Sequence, residues 1–280
     1  MTQMAQMNTN AGWAICDICD ICGDILCGSM QFINDLHRMP SFFRTLSNNL
    51  RPEHRLTKLL VGGIGEILMV MVGILLALQV NNWNDDRKDG VKELKILREM
   101  RVNLDRDLAD CRFNIERSGQ LLRANQAVLK QLDDRTLFHD SLRIHYGNIF
   151  GNTQLTANTS AYDNLKSIGF NLIRNDSLRQ MITTLYSERY TYLRNLEFEA
   201  DGKLQWDHLL PQLMAKVVVD TLWESGQPID PEALMDDASF KGMLRMNIFV
   251  RGWMIKQYEG VERRIQALQG MIDKELAARE

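Results

Sequence analysis

The chain has 280 residues, 33 Lys and Arg against 36 Asp and Glu, and a formal net charge of −3. That near-balance argues against nucleic acid as the main partner, because phosphate binding calls for a basic face. Five prolines and 15 methionines favour helix over an all-β design, and the length allows one or two domains.

Residues 1–40 read as a low-complexity leader without a fixed fold. The leader carries Cys16, Cys19, Cys22 and Cys27 in a near-tandem ICDICDICGDI setting. Four converging thiolates are what zinc or an iron–sulfur cluster requires. No histidine lies close by, and the glycine or proline knuckles such sites use are reduced to Gly23 and Gly28. We therefore expect no metal and no cofactor, and keep the cysteines as the one alternative. No basic segment precedes a continuous apolar core, which is unlike a secretory signal. Met39 opens MPSFFRTL, which resembles a natural start. Residues 41–58 then place Phe42, Phe43, Leu46 and Leu50 at helical spacing among Arg44, Arg51, Arg55 and Lys58, a pattern suited to an amphipathic juxtamembrane segment.

Leu59–Val80 organises the rest. Only Glu66 and Gln79 are markedly polar in these 22 residues. As a helix the run would measure about 33 Å, enough to cross a bilayer core of roughly 30 Å. We expect a transmembrane helix over 59–83 with Trp83 as its interfacial anchor. Lys and Arg are equally frequent on both flanks: Arg44, Arg51, Arg55 and Lys58 against Arg87, Lys88, Lys92 and Lys95. The nearest residues break the tie, since Arg55 and Lys58 abut one end while Asn81–Asp86 opens the other. The expected orientation is N-terminus in the cytoplasm and the large domain outside.

Gly62, Glu66, Met69, Gly73 and Ala77 fall on one helical face. Gly62, Gly73 and Ala77 form a helix-packing face, with Gly73 and Ala77 a small-xxx-small pair. Glu66 is thus an intramembrane acid directed at a helix–helix contact. It serves either as a protonated carboxyl holding a homo-oligomer together or as a relay or pairing group.

The segment GGIGEILMVMVGILLALQVNNWNDDRK resembles the signature of an uncharacterised family of bacterial membrane proteins. The likeness runs through Ser41–Phe43 with Arg44, Gly65–Glu66, Gly73–Gln79 and Asn81–Asn84. A weaker match spans Ala161, Tyr162, Leu165–Ser167 and Gly169, then Leu178, Arg179 and Tyr186. Together these cover most of residues 41 to about 195, while residues 1–38 depart from the pattern. The resemblance implies a single-pass membrane protein with a helical extracytoplasmic domain and no assigned activity. Its setting would be the bacterial inner membrane, with the C-terminal domain periplasmic.

The region 84–280 is expected to be all-α, with the membrane helix continuing into a long-helix antiparallel bundle of coiled-coil character. Leu94, Leu97, Arg101, Leu104, Leu108, Cys111, Ile115, Ser118, Leu122, Asn125, Leu129 and Leu132 form the first seam. A buried Cys111 thiol fits that seam, and an inter-subunit disulfide is possible if seams pair. Residues 133–175 read as irregular apart from a short helix, Ala161 to Ile168, started near Ser160 and Asp163 and ended at Gly169. Asn175 or Asp176 caps a long helix to about Leu210, where Pro211 forces a kink or restart. Val217–Val219 suits a strand or a buried helix end, and the helical context favours the latter. Gly226–Pro228 reads as a turn, Asp230–Pro231 as a cap, and Phe240 to Ile272 as the last seam.

There is no GxxxxGK[ST], HExxH or GxSxG. His139, Asp140 and His145 have spacing unlike a helical metal pair, and Trp206–His208 suits packing or capping. The expected function is therefore non-enzymatic: a membrane-anchored binding, scaffolding or sensory component of an envelope complex. Its partners would be the bilayer, further copies through the membrane helix and the seams, and other envelope proteins. The alternative is an accessory subunit of an ion- or proton-coupled complex using Glu66. An enzyme would need a pocket of converging His, Asp or Glu that the sequence does not announce.

Overall fold

The computed structural model describes residues 55–279, with side chains from residue 63 onward. The leader, its four cysteines and most of the amphipathic segment lie outside the described residues. The first helix, α1 (Arg55–Asp133), is 79 residues long and runs through both of the units into which the chain divides, Met1–Asn81 and Asn82–Glu280.

The second unit is helical, as expected. Short helices α2 (Arg143–Gly147) and α3 (Ser160–Ile168) precede a helical run of α4 (Asp176–Thr183), α5 (Tyr190–Asn195) and α6 (Leu210–Lys216). A hairpin of β1 (Val217–Thr221) and β2 (Ser225–Pro228) follows, then α7 (Pro231–Asp236) and the 40-residue α8 (Ala238–Ala277). Asn175 caps α4 by accepting from Leu178 N–H, Gly169 ends α3, and Asp230 caps α7 with Pro231 in the first turn. The start of α3 lies one residue before the expected cap. Thr159 stands there with its hydroxyl on Asp163 at 2.7 Å, and Ser160 is already helical.

The α1 seam splits by depth. Leu97, Leu104, Cys111, Ser118, Asn125 and Leu132, each seven residues apart, are buried. The other expected row, Leu94, Arg101, Leu108, Ile115, Leu122 and Leu129, is only half-buried. The second deep row is Glu93, Met100, Asp107, Asn114, Leu121 and Val128. The buried stripe is therefore rotated toward polar residues, which hydrophobic spacing alone does not register.

Helix α8 lies antiparallel on α1 in a nearly constant register. Arg101 meets Asp273 at 2.8 Å, Arg112 meets Glu262 at 2.8 Å, Asn125 accepts from Asn247 at 2.9 Å, and Asp133 accepts from Arg245 at 3.0 Å. Met254, Ile265, Leu268 and Ile272 are fully buried along this line, each contributing about 2 kcal/mol relative to exposure. Cys111 is sealed in the same contact, donating to Tyr258 O at 3.3 Å, with burial pushing its thiol up to about 12. The seam that would have carried an inter-subunit disulfide is thus closed by the chain's own α8.

The run from α4 to α6 is helical throughout, with three π-helical stretches: Thr184–Arg189, Leu196–Gly202 and Leu204–Leu209. Their cause is legible in the burial pattern. Leu193, Glu197, Asp201, Gln205, Leu209, Leu213 and Val217 are all buried at strict four-residue spacing. An α-helix of 3.6 residues per turn would rotate such a row by about 40° at each step. The wider i→i+5 turns absorb that drift and keep the row on one face. Pro211 accordingly opens α6 without breaking the path, because the preceding turn is already widened.

Val217–Val219 corrects the expected helix end, pairing as a strand with Val217 opposite Pro228 and Val218 opposite Gln227. Gly226, read as a turn residue, is in the strand. A Cβ there would meet Tyr146 C and Gly147 N at 3.1 Å, and one on Gly147 would meet Ser225 N at 2.6 Å. Two glycines thus let the α2 backbone lie directly on the hairpin, a close approach of the kind an isolated strand glycine marks. Arg143 fastens the pair through Gln227 at 2.9 Å and Asp220 at 2.7 Å.

Candidate functional site

Two regions concentrate chemistry: the apolar part of α1 and a buried polar spine in the second unit. Among the described residues one helix is long and apolar enough to cross a membrane, and none of its apolar window is buried against the protein. Ile64, Ile67 to Val72, Ile74 to Leu76, Leu78 and Val80 stand more than half exposed or at half exposure. Glu66 lies on the helical surface with no ion pair or hydrogen bond from this chain's described residues. Gly73 has nothing within 4 Å of a would-be Cβ, as do Gly63 and Gly65. Gly62 shares the helix, while its immediate surroundings lie outside the described residues. Ala77 and Trp83 are exposed, Trp83 at 67%. The small-residue face therefore has no partner within the described chain.

The spine was not foreseen. Along α1, Asn103, Asp107, Asp110, Asn114 and Ser118 face the non-helical run Asn152–Thr159, part of the stretch expected to be irregular. Ser118 meets Thr153 at 3.0 Å, Asn114 donates to Gln154 O at 3.0 Å, and Asp110 accepts from Thr156 N–H at 2.8 Å. Asp107 accepts from Asn158 N–H at 2.8 Å, and Asn103 donates to Ser160 at 2.9 Å. Each step of three or four residues up the helix is matched by about two along an extended chain, since both advance roughly 5–7 Å. The strap is thus hydrogen-bonded to a helix where a strand would use a sheet. It also returns the chain antiparallel to α1, so that α4 to α6 can run parallel to α1. Glu93 fixes the far end, accepting from Arg174 N–H at 2.9 Å and from Arg279 at 2.7 Å.

Behind the strap, Glu197 accepts from Leu155 N–H at 2.8 Å and from Tyr258 O–H at 2.6 Å. Burial holds its carboxyl up at about 7, against the lowering effect of those two bonds. Asp107 is also raised by burial, while Asn158 and the Tyr190 hydroxyl, at 2.8 Å, oppose the rise. Deeper still, Arg251 ion-pairs with Asp201, both fully buried. Gln205 links Asp201 at 3.2 Å to Asn247 at 2.7 Å. These acids hold backbone and neighbouring side chains in place, with Asp107 and Glu197 each bound to a strap amide. The signal available in sequence was the polar residues set into a hydrophobic seam.

Among the described residues no group of three or more His, Cys, Asp or Glu is placed to hold a metal ion. His139 caps the turn at Asp140–Leu142 by accepting from Ser141 N–H at 3.2 Å. Trp206 is exposed and packs edge-on to Phe150, with ring centroids 5.0 Å apart.

No curated protein and no solved structure matches the chain. The family model described as "Family of unknown function (DUF6090)" matches residues 66–207, from the acid of the apolar run through the π-helical turns that carry Glu197, Asp201 and Gln205. Because that match takes in half of the sequence, the chain belongs to this family of unknown function.

Proposed function

We propose that this is a non-enzymatic, single-pass inner-membrane protein whose helical domain binds, scaffolds or senses on the periplasmic side. The observation that carries the reading is the apolar run of α1, unburied over its whole membrane-length window. Leaving that much hydrocarbon in water is unfavourable at about 25 cal/mol per Å², and a bilayer removes the cost. Arg55 and Lys58 at one end and the uncharged Asn81–Asn84 at the other favour a cytoplasmic N-terminus. The open Gly73/Ala77 face supports self-association, with Glu66 inside the contact.

Two measurements test this. The full chain should stay in the membrane fraction after an alkaline wash, and recovery in the soluble fraction would overturn the anchor. In native membranes, Gly73→Leu should lower the cross-linked oligomer severalfold, while Glu66→Gln should leave it intact or altered only in subunit number. The second reading, an accessory subunit of an ion-coupled complex, draws on a carboxyl that no described group of this chain neutralises. It gains the lead if Glu66→Gln abolishes coupled transport with assembly unchanged.

A further inference from the structure

A second feature stands apart from the membrane face and the spine. Midway along α1, where α2 and the hairpin turn close over it, lies a cavity of about 290 Å³. That is near the lower end of the roughly 300–1,000 Å³ of small-molecule sites, suited to a sugar or a small organic acid. Its lining includes Arg117, Gln120, Arg123, His145, Asn148 and Trp223.

Charge is one-sided here. Among the described residues no carboxylate ion-pairs with Arg117, Arg123 or His145. Arg117 spends one nitrogen on Gln120 Oε1 at 3.0 Å and lays its guanidinium over the Trp223 ring at 5.3 Å. Its Nη2 is buried with no hydrogen-bond partner. A buried guanidinium nitrogen left unpaired costs more than one in water, unless something absent from the chain completes it.

Asn148 supplies the complementary group. It is 6% exposed, and its amide hydrogens are committed to Ile144 O at 2.8 Å and Trp223 O at 2.6 Å. The orientation of the amide is thereby settled, and Oδ1 is left buried without a donor. Trp223 is held firmly although φ is +68°, in the region non-glycine residues avoid. Its N–H donates to Gly147 O at 3.0 Å and its indole N–H to Phe150 O at 3.2 Å. A strained residue fixed this tightly at the mouth of a cavity fits a preformed site.

We propose that this cavity binds a small oxyanion that also carries a hydroxyl group. The acid group is held by Arg117, Arg123 and His145, the hydroxyl donates to Asn148 Oδ1, and the Trp223 edge bounds the ligand on the hairpin side. A carboxylate on a sugar acid has this chemistry, and so does protonated inorganic phosphate. The site lies wholly in the second unit and does not depend on how α1 sits in the membrane.

Calorimetric titration of the full chain in detergent micelles tests it, with D-glucuronate, inorganic phosphate, acetate and glucose as four separate probes. Saturable binding of glucuronate or phosphate is expected, at least tenfold tighter than acetate or glucose, and whichever of the two binds identifies the source of the oxyanion. Arg123 is exposed, so Arg123→Ala should fold normally and weaken that binding about tenfold. Arg117→Gln should weaken it further. The proposal is overturned if neither oxyanion binds the wild type, if acetate or glucose binds as well as they do, or if Arg123→Ala with an unchanged melting temperature binds like the wild type.

Discussion

Glu197 sets a pH dependence that can be read directly from its surroundings. Its carboxyl is raised by burial to about 7, so the folded chain holds a proton there that the unfolded chain releases at the ordinary glutamate value. Stability conferred by this group is complete at low pH and is lost as pH rises through that window, levelling off above about 7. The total is about 3 kcal/mol, at 1.36 kcal/mol per unit. Asp107, also raised by burial, acts in the same direction. Glu197→Gln keeps an acceptor for Leu155 N–H and Tyr258 O–H but removes the titration. Thermal melts of the full chain should place the variant roughly 5 to 10 °C above the wild type at pH 8 and level with it near pH 5. A wild type whose melting temperature rises from pH 5 to pH 8 would contradict the burial argument.

At the scale of elements, the junction between α2 and the hairpin has the least tolerance. A Cβ on Gly147 would press on the backbone of Ser225, which no side-chain rotation relieves. Gly147→Ala should therefore destabilise the full chain by about 2 kcal/mol or more, seen as a lowered urea midpoint with hydrogen exchange rising first in Val217–Pro228. This junction also shows where sequence reading runs out. Val217–Val219 carries β-branched residues that favour a strand, but a two-residue glycine contact between segments 79 positions apart leaves no periodic trace. The caps at Asn175 and Asp230 and the stop at Gly169 were legible because they depend on neighbours three or four residues away. So was the last seam: of Phe240, Met243, Asn247, Val250, Met254, Tyr258, Val261, Ile265, Leu268 and Ile272, all are buried except the half-buried Met243. The strap was not legible, since Asp107, Asn114 and Ser118 look like interruptions of a seam until their partners at Asn158, Gln154 and Thr153 are seen. The oxyanion cavity was hidden for the same reason. The spacing of His145 speaks only against a helical metal pair, and the group it joins is assembled from α1, α2 and the hairpin turn.

For the molecule as a whole, the decisive pairing is between Glu93 and Arg279. Glu93 is completely buried and its neutralising group comes from the C-terminal end of the described chain. Removing one member of such a pair leaves an uncompensated charge and typically costs about 3–5 kcal/mol, here lessened by Arg174 at 3.9 Å. Arg279→Ala should lower the melting temperature of the full chain and raise hydrogen exchange in Asp89–Ile96 and Gln269–Leu276 together. Exchange rising in only one of these segments would show that the ion pair does not join them. The all-α architecture and the long helices were accessible from composition and seam spacing, whereas this closure joins residues 186 positions apart.

The same pairing means that the polypeptide enters and leaves the second unit side by side, while the opposite tip around Asp134–Leu137 is an exposed connection. A chain so arranged can be re-threaded: a short linker from Arg279 to the start of the unit, with new ends opened at that tip, would preserve every helix contact described above. Such a permuted domain would carry its ends at the pole farthest from Glu93, and could be spliced by them into a loop of an unrelated host.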